Sequence, residues 1–196
     1  MYLYGASGHA KVIIDILKSQ NIEIKGLIDD NQAIGELLGY PVFHDSDGRN
    51  PVIISIGDNK IRKKICEKLA DTPFGKAVHS SAIVSGNSRI DVGTVVMQGA
   101  IIQSDCTIGK HVIINTGASV DHDCRVSDFV HISPHATLCG NVSVGEGSWS
   151  GAGTTIIPGI KIGKWCVIAA GSVVTKNIPD FSLAAGNRCK VIKTIQ

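Results

Sequence analysis

Aromatic side chains are scarce in this 196-residue chain, at 5% of residues, and charge of neither sign dominates, the formal net charge being +2. These absences argue against a nucleic-acid module, which needs clustered Lys and Arg interleaved with aromatics. The one basic run, Lys60 to Lys64, is short. A stretch of about 18 consecutive apolar residues, enough to span a bilayer, is also missing. Met1 leads into the strand-like Tyr2-Leu3-Tyr4 rather than into a charged segment followed by an apolar one, so the cytoplasm is the expected compartment and no membrane association is expected. Six cysteines could form three disulfides in a secreted chain; without a leader, reduced thiols are expected. What is present, 43% hydrophobic and 18% charged residues, suffices for a folded core.

Residues 1–75 alternate short apolar runs with helical patterns. Tyr2 to Tyr4 reads as a strand, Gly5-Ala6-Ser7-Gly8 as a turn and Lys11 to Leu17 as a helix. Strands at Ile24 to Ile28 and Val52 to Ile56 follow, then a helix over Lys60 to Leu69. Such a βαβ order predicts a Rossmann-like α/β domain with a parallel sheet, whose ligands sit at the carboxyl ends of the strands: Gly5 to His9, Asp29-Asp30 and Gly57 to Asn59.

From Val78 onward the period becomes six. Steps of six from Val78 to Val174 land on an aliphatic residue everywhere except Ser150, and the residue four places after each is again small or apolar, as at Ala100, Cys106, Cys124, Ala136 and Cys166. Both sets are expected to point inward, with short strands meeting at corners. Asp91, Gly109, Asn115, Asp121, Gly145, Gly151 and Gly163 are the expected left-handed corner residues. Hexapeptide repeats of this form are the signature of a β-helix solenoid, here over residues 76–196 including a carboxyl-terminal tail. The inward cysteines then act as small hydrophobes.

A prism of parallel strands has no cleft of its own, so reactive groups must project from it. His122 falls at a corner and His131 faces outward in mid-strand, both within reach of a neighbouring subunit; a homotrimer is expected, since closed cyclic symmetry suits a triangular solenoid. Asp121 and Asp123 flank His122, and a solvated corner is the plain alternative to a basic imidazole there. Gly140 lies eighteen residues beyond His122, one coil above it at about 4.8 Å, and Asn115 is stacked under Ser133 in the same way. A histidine with a backbone N–H one layer up supplies a base and an oxyanion donor, the parts that acyl transfer requires.

The segments GASGH at Gly5 to His9, the pair Asp29-Asp30, IGDNKIRKKI at Ile56 to Ile65 and NTGASVDHDCRVSDFVHIS at Asn115 to Ser133 resemble the PglD/NeuD family of hexapeptide sugar acetyltransferases. The resemblance runs over almost the whole chain and implies a left-handed coil. It further implies acetyl-CoA as co-substrate, no metal, and N-acetylation of the 4-amino group of a UDP-linked 4-amino-4,6-dideoxy-N-acetylhexosamine. It makes His122 the general base and Asp123 its supporting carboxylate, with Asn115, His131 and Gly140 around the acetyl group and pantetheine arm. Asp121 and Asp123 both stand where the family has Glu. Ser7, Gly8, His9, Asp29, Asp30 and Gly57 would hold the UDP-sugar. The tail reads Gly186-Asn187-Arg188-Cys189-Lys190 and lacks the family's proline, leaving Arg188 and Lys190 to meet coenzyme phosphates.

Other readings have their own carriers. GASGH lacks the third glycine of a dinucleotide fingerprint, which weakens a redox role. An O-acetyltransferase of sialic acid shares the family motifs. A γ-class carbonic anhydrase shares the solenoid and would use zinc on His111, His122, His131 or His135, whose spacing places them on different sides of the coil. A non-catalytic scaffold is the third alternative.

Overall fold

The computed structural model describes residues 1–195. Its amino-terminal part runs β1 (Tyr2–Tyr4), α1 (Gly8–Ser19), β2 (Gly26–Ile28), β3 (Glu36–Leu37), β4 (Tyr40–Phe43), β5 (Val52–Ile54) and α2 (Asn59–Lys68). The strands form one sheet in the order β3-β4-β2-β1-β5, with β1 parallel to both β2 and β5. Helix α1 buries Ala10, Ile13, Ile14, Ile16 and Leu17, one apolar stripe at helical spacing. It begins at Gly8, three residues before the expected Lys11, because Ala10 already packs inward. Both later strands are shorter than expected, β5 ending where the Ser55 hydroxyl takes the Tyr4 and Gly5 carbonyls. The β3–β4 hairpin was not anticipated: its turn is Leu38-Gly39, both at positive φ, and leucine is a poor advertisement for a turn that Asn-Gly usually marks. At the end of β1, Gly5 has φ +111°, and a Cβ there would fall 2.5 Å from Ile56 Cδ1, so only glycine fits.

Seventeen two-residue strands follow, from Ala77–Val78 to Val173–Val174. As far as Thr155–Ile156, each pairs in parallel with the strand eighteen residues on, as Ile101 with Ser119 and Ile113 with His131; in the last coil the step shortens, Val167 pairing with Leu183. Three faces result, and the coil belongs to the left-handed β-helix class. The expected inward residues are buried from Val96 upward and only partly covered in the first coil. Each fully buried Val, Ile or Leu in that stack contributes about 1.5–3 kcal/mol. Cys106, Cys124 and Cys166 lie in this core as free thiols.

The corner assignment requires correction. Asp91, Gly109, Asn115, Asp121, Gly145, Gly151 and Gly163 are not the left-handed residues; positive φ falls two places later, at Gly93, Gly99, Asp105, His111, Gly117, Asp123, Phe129, His135, Asn141, Gly147, Gly153, Gly159, Trp165 and Gly171. Glycine at the earlier position serves close stacking instead: a Cβ on Gly145 would meet the Gly163 carbonyl carbon at 2.6 Å, and one on Gly151 the Ala170 nitrogen at 2.5 Å.

The eighteen-residue period gives each face and edge its own composition. The first face (Ala77, Val95, Ile113, His131, Trp149 and Val167 pointing outward) receives the α/β domain, whose α1 core includes Ala77, Val95, Met97 and Ile113. The second face presents Ile83, Ile101, Ser119, Thr137, Thr155 and Val173, with no charge; the third presents Arg89, Thr107, Arg125, Ser143 and Lys161. The edge between third and first faces carries His111, Phe129 and Trp165, that between first and second mostly glycine, and that between second and third Asp105, Asp123 and Asn141. At the lower end of the coil, Gln20 and Ser19 accept from the Val78 and Ser80 N–H groups. At the upper end Lys190–Thr194 folds back antiparallel on Ser182–Ala185.

Candidate active site

His122 sits exposed on the edge between the second and third faces. Its Nδ1 lies 2.7 Å from Asp123 Oδ2, while Asp121 caps the His122 N–H. The contact with Asp123 and then the charge of Asp121 raise the imidazole above its ordinary value, which makes it a stronger base. Fixing Nδ1 leaves Nε2 pointing up the coil, where an added Cβ on Gly140 would stand only 2.7 Å from it. Other edges show why that neighbourhood is open. Asp91, Asn115 and Asp121 each cap the next N–H, and Asp128 caps Lys110 from the coil above. Cys139 offers no such acceptor, and the Gly140 N–H has no hydrogen-bond partner among the described residues. Base and free donor thus stand side by side. Cys124, the nearest thiol in sequence, points inward, donates to the Cys139 carbonyl and is pushed by burial up to about 12, so it is no nucleophile.

A second constellation lies on the first face, under the α/β domain. His131 points out of the coil as expected, but it is not available to solvent: it is 8% exposed, stacked on Trp149 with ring centroids 5.6 Å apart. The α/β domain covers it, which the repeat pattern could not register. Its Nε2 is 3.0 Å from Asn115 Nδ2, and its buried Nδ1 has no hydrogen bond. His9, at the start of α1, likewise has a buried, unpartnered Nε2. Burial first, and then the Arg62 charge, pull His131 down to about 3 and His9 to about 4, so both are neutral imidazoles with a spare polar atom.

Arg62, one turn from Asn59 on α2, was not singled out from the sequence, where it merges into the Lys60 to Lys64 run; Asn59 was expected only as part of the strand end Gly57 to Asn59. Arg62 is nevertheless 1% exposed, and desolvation lowers it to about 9. Asn59 reaches the solenoid carbonyls of Gly147 and Ser148. The i, i+3 spacing of Arg62 from Asn59, at that strand end, was the signal that could have found it.

At the strand ends, Ser7 precedes α1 with extended backbone and makes no side-chain cap, leaving the first amides of Gly8 and His9 uncapped as anion donors. Asp29 is occupied: its oxygens accept from the Ala6 and Asn31 N–H groups. Asp30 accepts from Tyr4 Oη and Lys68 Nζ, yet remains largely exposed. The Gly57 carbonyl accepts from Arg62. Arg188 and Lys190 are exposed at the upper end, where Asn187 bridges to Val173.

Within one chain the residues fall into two groups. His122, Asp123 and Gly140 share one edge. His131 and the α/β residues occupy the opposite face, with Asn115 at its border. A cleft of roughly 700 Å³ also runs along the outer side of α2, lined by Trp149, Trp165, Phe181 and Lys63. His122 is not among its lining residues.

Residues 1–69 match the family described as PglD N-terminal domain, and residues 141–176 the bacterial transferase hexapeptide repeats. Among curated proteins, a putative acetyltransferase of Saccharomyces cerevisiae is 57% identical over 54 residues, and the match spans only 28% of its length and 28% of this chain. Solved structures match along their length. The perosamine N-acetyltransferase PerB of Caulobacter crescentus, in complex with CoA and GDP-perosamine, is 38% identical with a TM-score of 0.93, over 98% of this chain and 96% of that one. The acetyltransferase domain of Neisseria gonorrhoeae PglB, in complex with acetyl coenzyme A, is 33% identical with a TM-score of 0.90, over 97% and 98%. With this α/β domain set on a hexapeptide coil, and with that identity across nearly the whole chain, the protein belongs to the PglD-like family of sugar N-acetyltransferases.

Proposed function

We propose that the protein transfers the acetyl group of acetyl-CoA to the amino group of a nucleotide-linked amino sugar, in one direct step. The observation that carries this is the pairing of the Asp123-held His122 with the open Gly140 N–H. In the step, His122 Nε2 takes a proton from the attacking amine as its nitrogen bonds to the thioester carbonyl carbon. The Gly140 N–H holds the oxyanion. Collapse breaks the C–S bond, and the imidazolium returns the proton to the coenzyme sulfur. Cys124 is buried, so it is not an acyl carrier.

The site is completed by trimerisation. The uncharged second face is the one suited to packing around a threefold axis, whereas the third carries Arg89, Arg125 and Lys161. Packing three prisms in this way sets the His122 edge of one protomer beside the glycine-lined edge of its neighbour, so Asn115 of the partner subunit, and behind it the partner subunit's His131, face His122 and Gly140. The thin edge leaves room for a pantetheine arm, with Arg188 and Lys190 near its phosphates. The acceptor's diphosphate sits on the Ser7, Gly8 and His9 amides, its nucleoside toward Asp29 and Asp30, and its sugar over His9, Gly57 and His131.

The acceptor we assign is a UDP-4-amino-4,6-dideoxy-N-acetylhexosamine. A GDP-linked amino sugar is the second candidate, favoured by the likeness to the enzyme bound to GDP-perosamine. Purified protein, acetyl-CoA and a panel of UDP- and GDP-linked amino sugars decide between them by release of free thiol and by the mass gain of one acetyl group. Release with neither class refutes the reading, and transfer to a sialic acid hydroxyl alone redirects it to O-acetylation. A monomer by light scattering at micromolar concentration refutes the shared site.

A further inference from the structure

We propose that Arg62 is a positioning residue of the acceptor site: one buried cation that fixes the strand end Ile56 to Asn59 against two consecutive coils and thereby sets where the α/β domain presents its ligand. This rests on the acceptor reading above, but the geometry that carries it is independent of substrate.

All five guanidinium N–H donors are used. Nε donates to the His111 carbonyl at 2.8 Å. Nη1 donates to the Ile56 and Gly57 carbonyls at 3.0 and 3.1 Å. Nη2 donates to Asn59 Oδ1 at 2.8 Å and to the Phe129 carbonyl at 2.9 Å. No carboxylate is among the acceptors. Burying a charge on neutral dipoles alone is expensive, and docking by itself does not need it, because Ala77, Val95, Met97 and Ile113 already form an apolar seam with α1. What the guanidinium adds is a rigid planar fork that an apolar contact lacks.

The places it grips are specific. His111 and Phe129 are stacked corners eighteen residues apart, both non-glycine residues at positive φ, 53° and 58°. Their rings lie parallel at 5.3 Å. Left-handed backbone at such residues persists where surrounding structure enforces it, and here both strained corners present a carbonyl to the same side chain. The other end of the fork holds Ile56, whose side chain fills the space above Gly5. Arg62 is thus joined through Ile56 to the turn that opens α1, with its Gly8 and His9 amides, and through Gly57 to the strand end assigned to the sugar.

The test uses the full chain as Arg62→Lys, Arg62→Met and Asn59→Ala. Thermal unfolding and light scattering establish that each variant is folded and assembled. The readouts are KM for the acceptor, KM for acetyl-CoA, calorimetric affinity for UDP and for GDP, and deuterium exchange of the amides at 5–9 and 56–59. Arg62→Lys keeps the charge but not the fork. It is expected to raise the acceptor KM about tenfold or more, the worth of one charged hydrogen bond, with acetyl-CoA KM unchanged and faster exchange in both segments. Arg62→Met is expected to exceed it, and Asn59→Ala to give a smaller rise of the same pattern. A lowered melting temperature with unchanged acceptor KM and unchanged exchange identifies a purely structural arginine and overturns the proposal. Should both Arg62 variants fail to fold, Asn59→Ala with normal acceptor KM and exchange overturns it equally. If the unmodified protein acetylates no nucleotide sugar, the acceptor reading fails, while exchange at 5–9 and 56–59 still decides the role of Arg62.

Discussion

Gly140→Ala adds one carbon at the point where the chemistry is assigned. The new Cβ would stand 2.6 Å from His122 Cε1 and 2.7 Å from Nε2, so the ring must retreat by roughly 0.8 Å to reach the 3.4 Å edge of ordinary contact. Two features keep the fold out of the result. Gly140 is not at positive φ, and His122 is exposed and can swing away without disturbing the core. Replacing glycine at a compatible position reduces unfolded-state entropy, worth about 0.4–1 kcal/mol of added stability. The swing, however, strains the 2.7 Å contact with Asp123 and re-aims Nε2, and a displacement near 1 Å costs about a hundredfold in rate, or about 2.7 kcal/mol in barrier. The expected variant is therefore an intact trimer with a melting temperature at or slightly above that of the unmodified protein, normal KM values and kcat lowered about a hundredfold. Thiol release under saturating acetyl-CoA measures it. A kcat within threefold of normal would refute the placement of the reacting carbonyl, and a loss of assembly would refute the open channel proposed between that edge and the neighbouring protomer.

His122→Ala should lower kcat by about 10²–10⁴-fold with both substrates still bound, whereas Cys124→Ala should stay active; abolished activity with a retained trimer in the latter would restore a covalent route. Because the base must be unprotonated and its pKa is raised by Asp123 and Asp121, kcat/KM should fall as pH drops through a value above the ordinary 6.5 of histidine, and Asp123→Asn should move that limb to lower pH; a limb unmoved by the substitution rejects the coupling. Folding stability should follow other histidines. His9, His111 and His131 titrate near 4, 4 and 3 when folded and near 6.5 when unfolded, so the unfolded chain binds more protons in between. Stability is fully present above about pH 6.5 and is lost as pH falls toward 4, at no more than about 1.4 kcal/mol per pH unit for each group; a melting temperature flat over that window excludes burial of these rings.

The coil was legible because its period is rigid: a residue every six places must be apolar, and a substitution there opens a cavity in a stack with no slack. The vertical relation of His122 to Gly140 followed from the same arithmetic, since eighteen residues return the chain to the same edge. The left-handed corners were misplaced by two residues because glycine and aspartate occur at both positions for different reasons, close stacking at one and backbone conformation at the other. His131 was given its direction correctly but not its burial, because what lies over it belongs to a segment without the repeat. Arg62 was hidden for a related reason: a cation among lysines reads as a solvated face, and its carbonyl partners carry no mark in the sequence.

A stack of parallel strands exposes a row of N–H and C=O groups at each end, and nothing within its repeat tells it where to stop. Here each end is closed by something that is not a repeat. Side chains from the last turn of α1 occupy the amides of the lowest coil, and the backward strand Lys190–Thr194, with a register irregularity at Leu183 and Ala184, terminates the uppermost sheet with lysines at 190 and 193. A further parallel rung cannot add to the first face at either end. The α/β domain is thus also a stopper, ending at its lower edge a face of the coil that its own repeat would leave open.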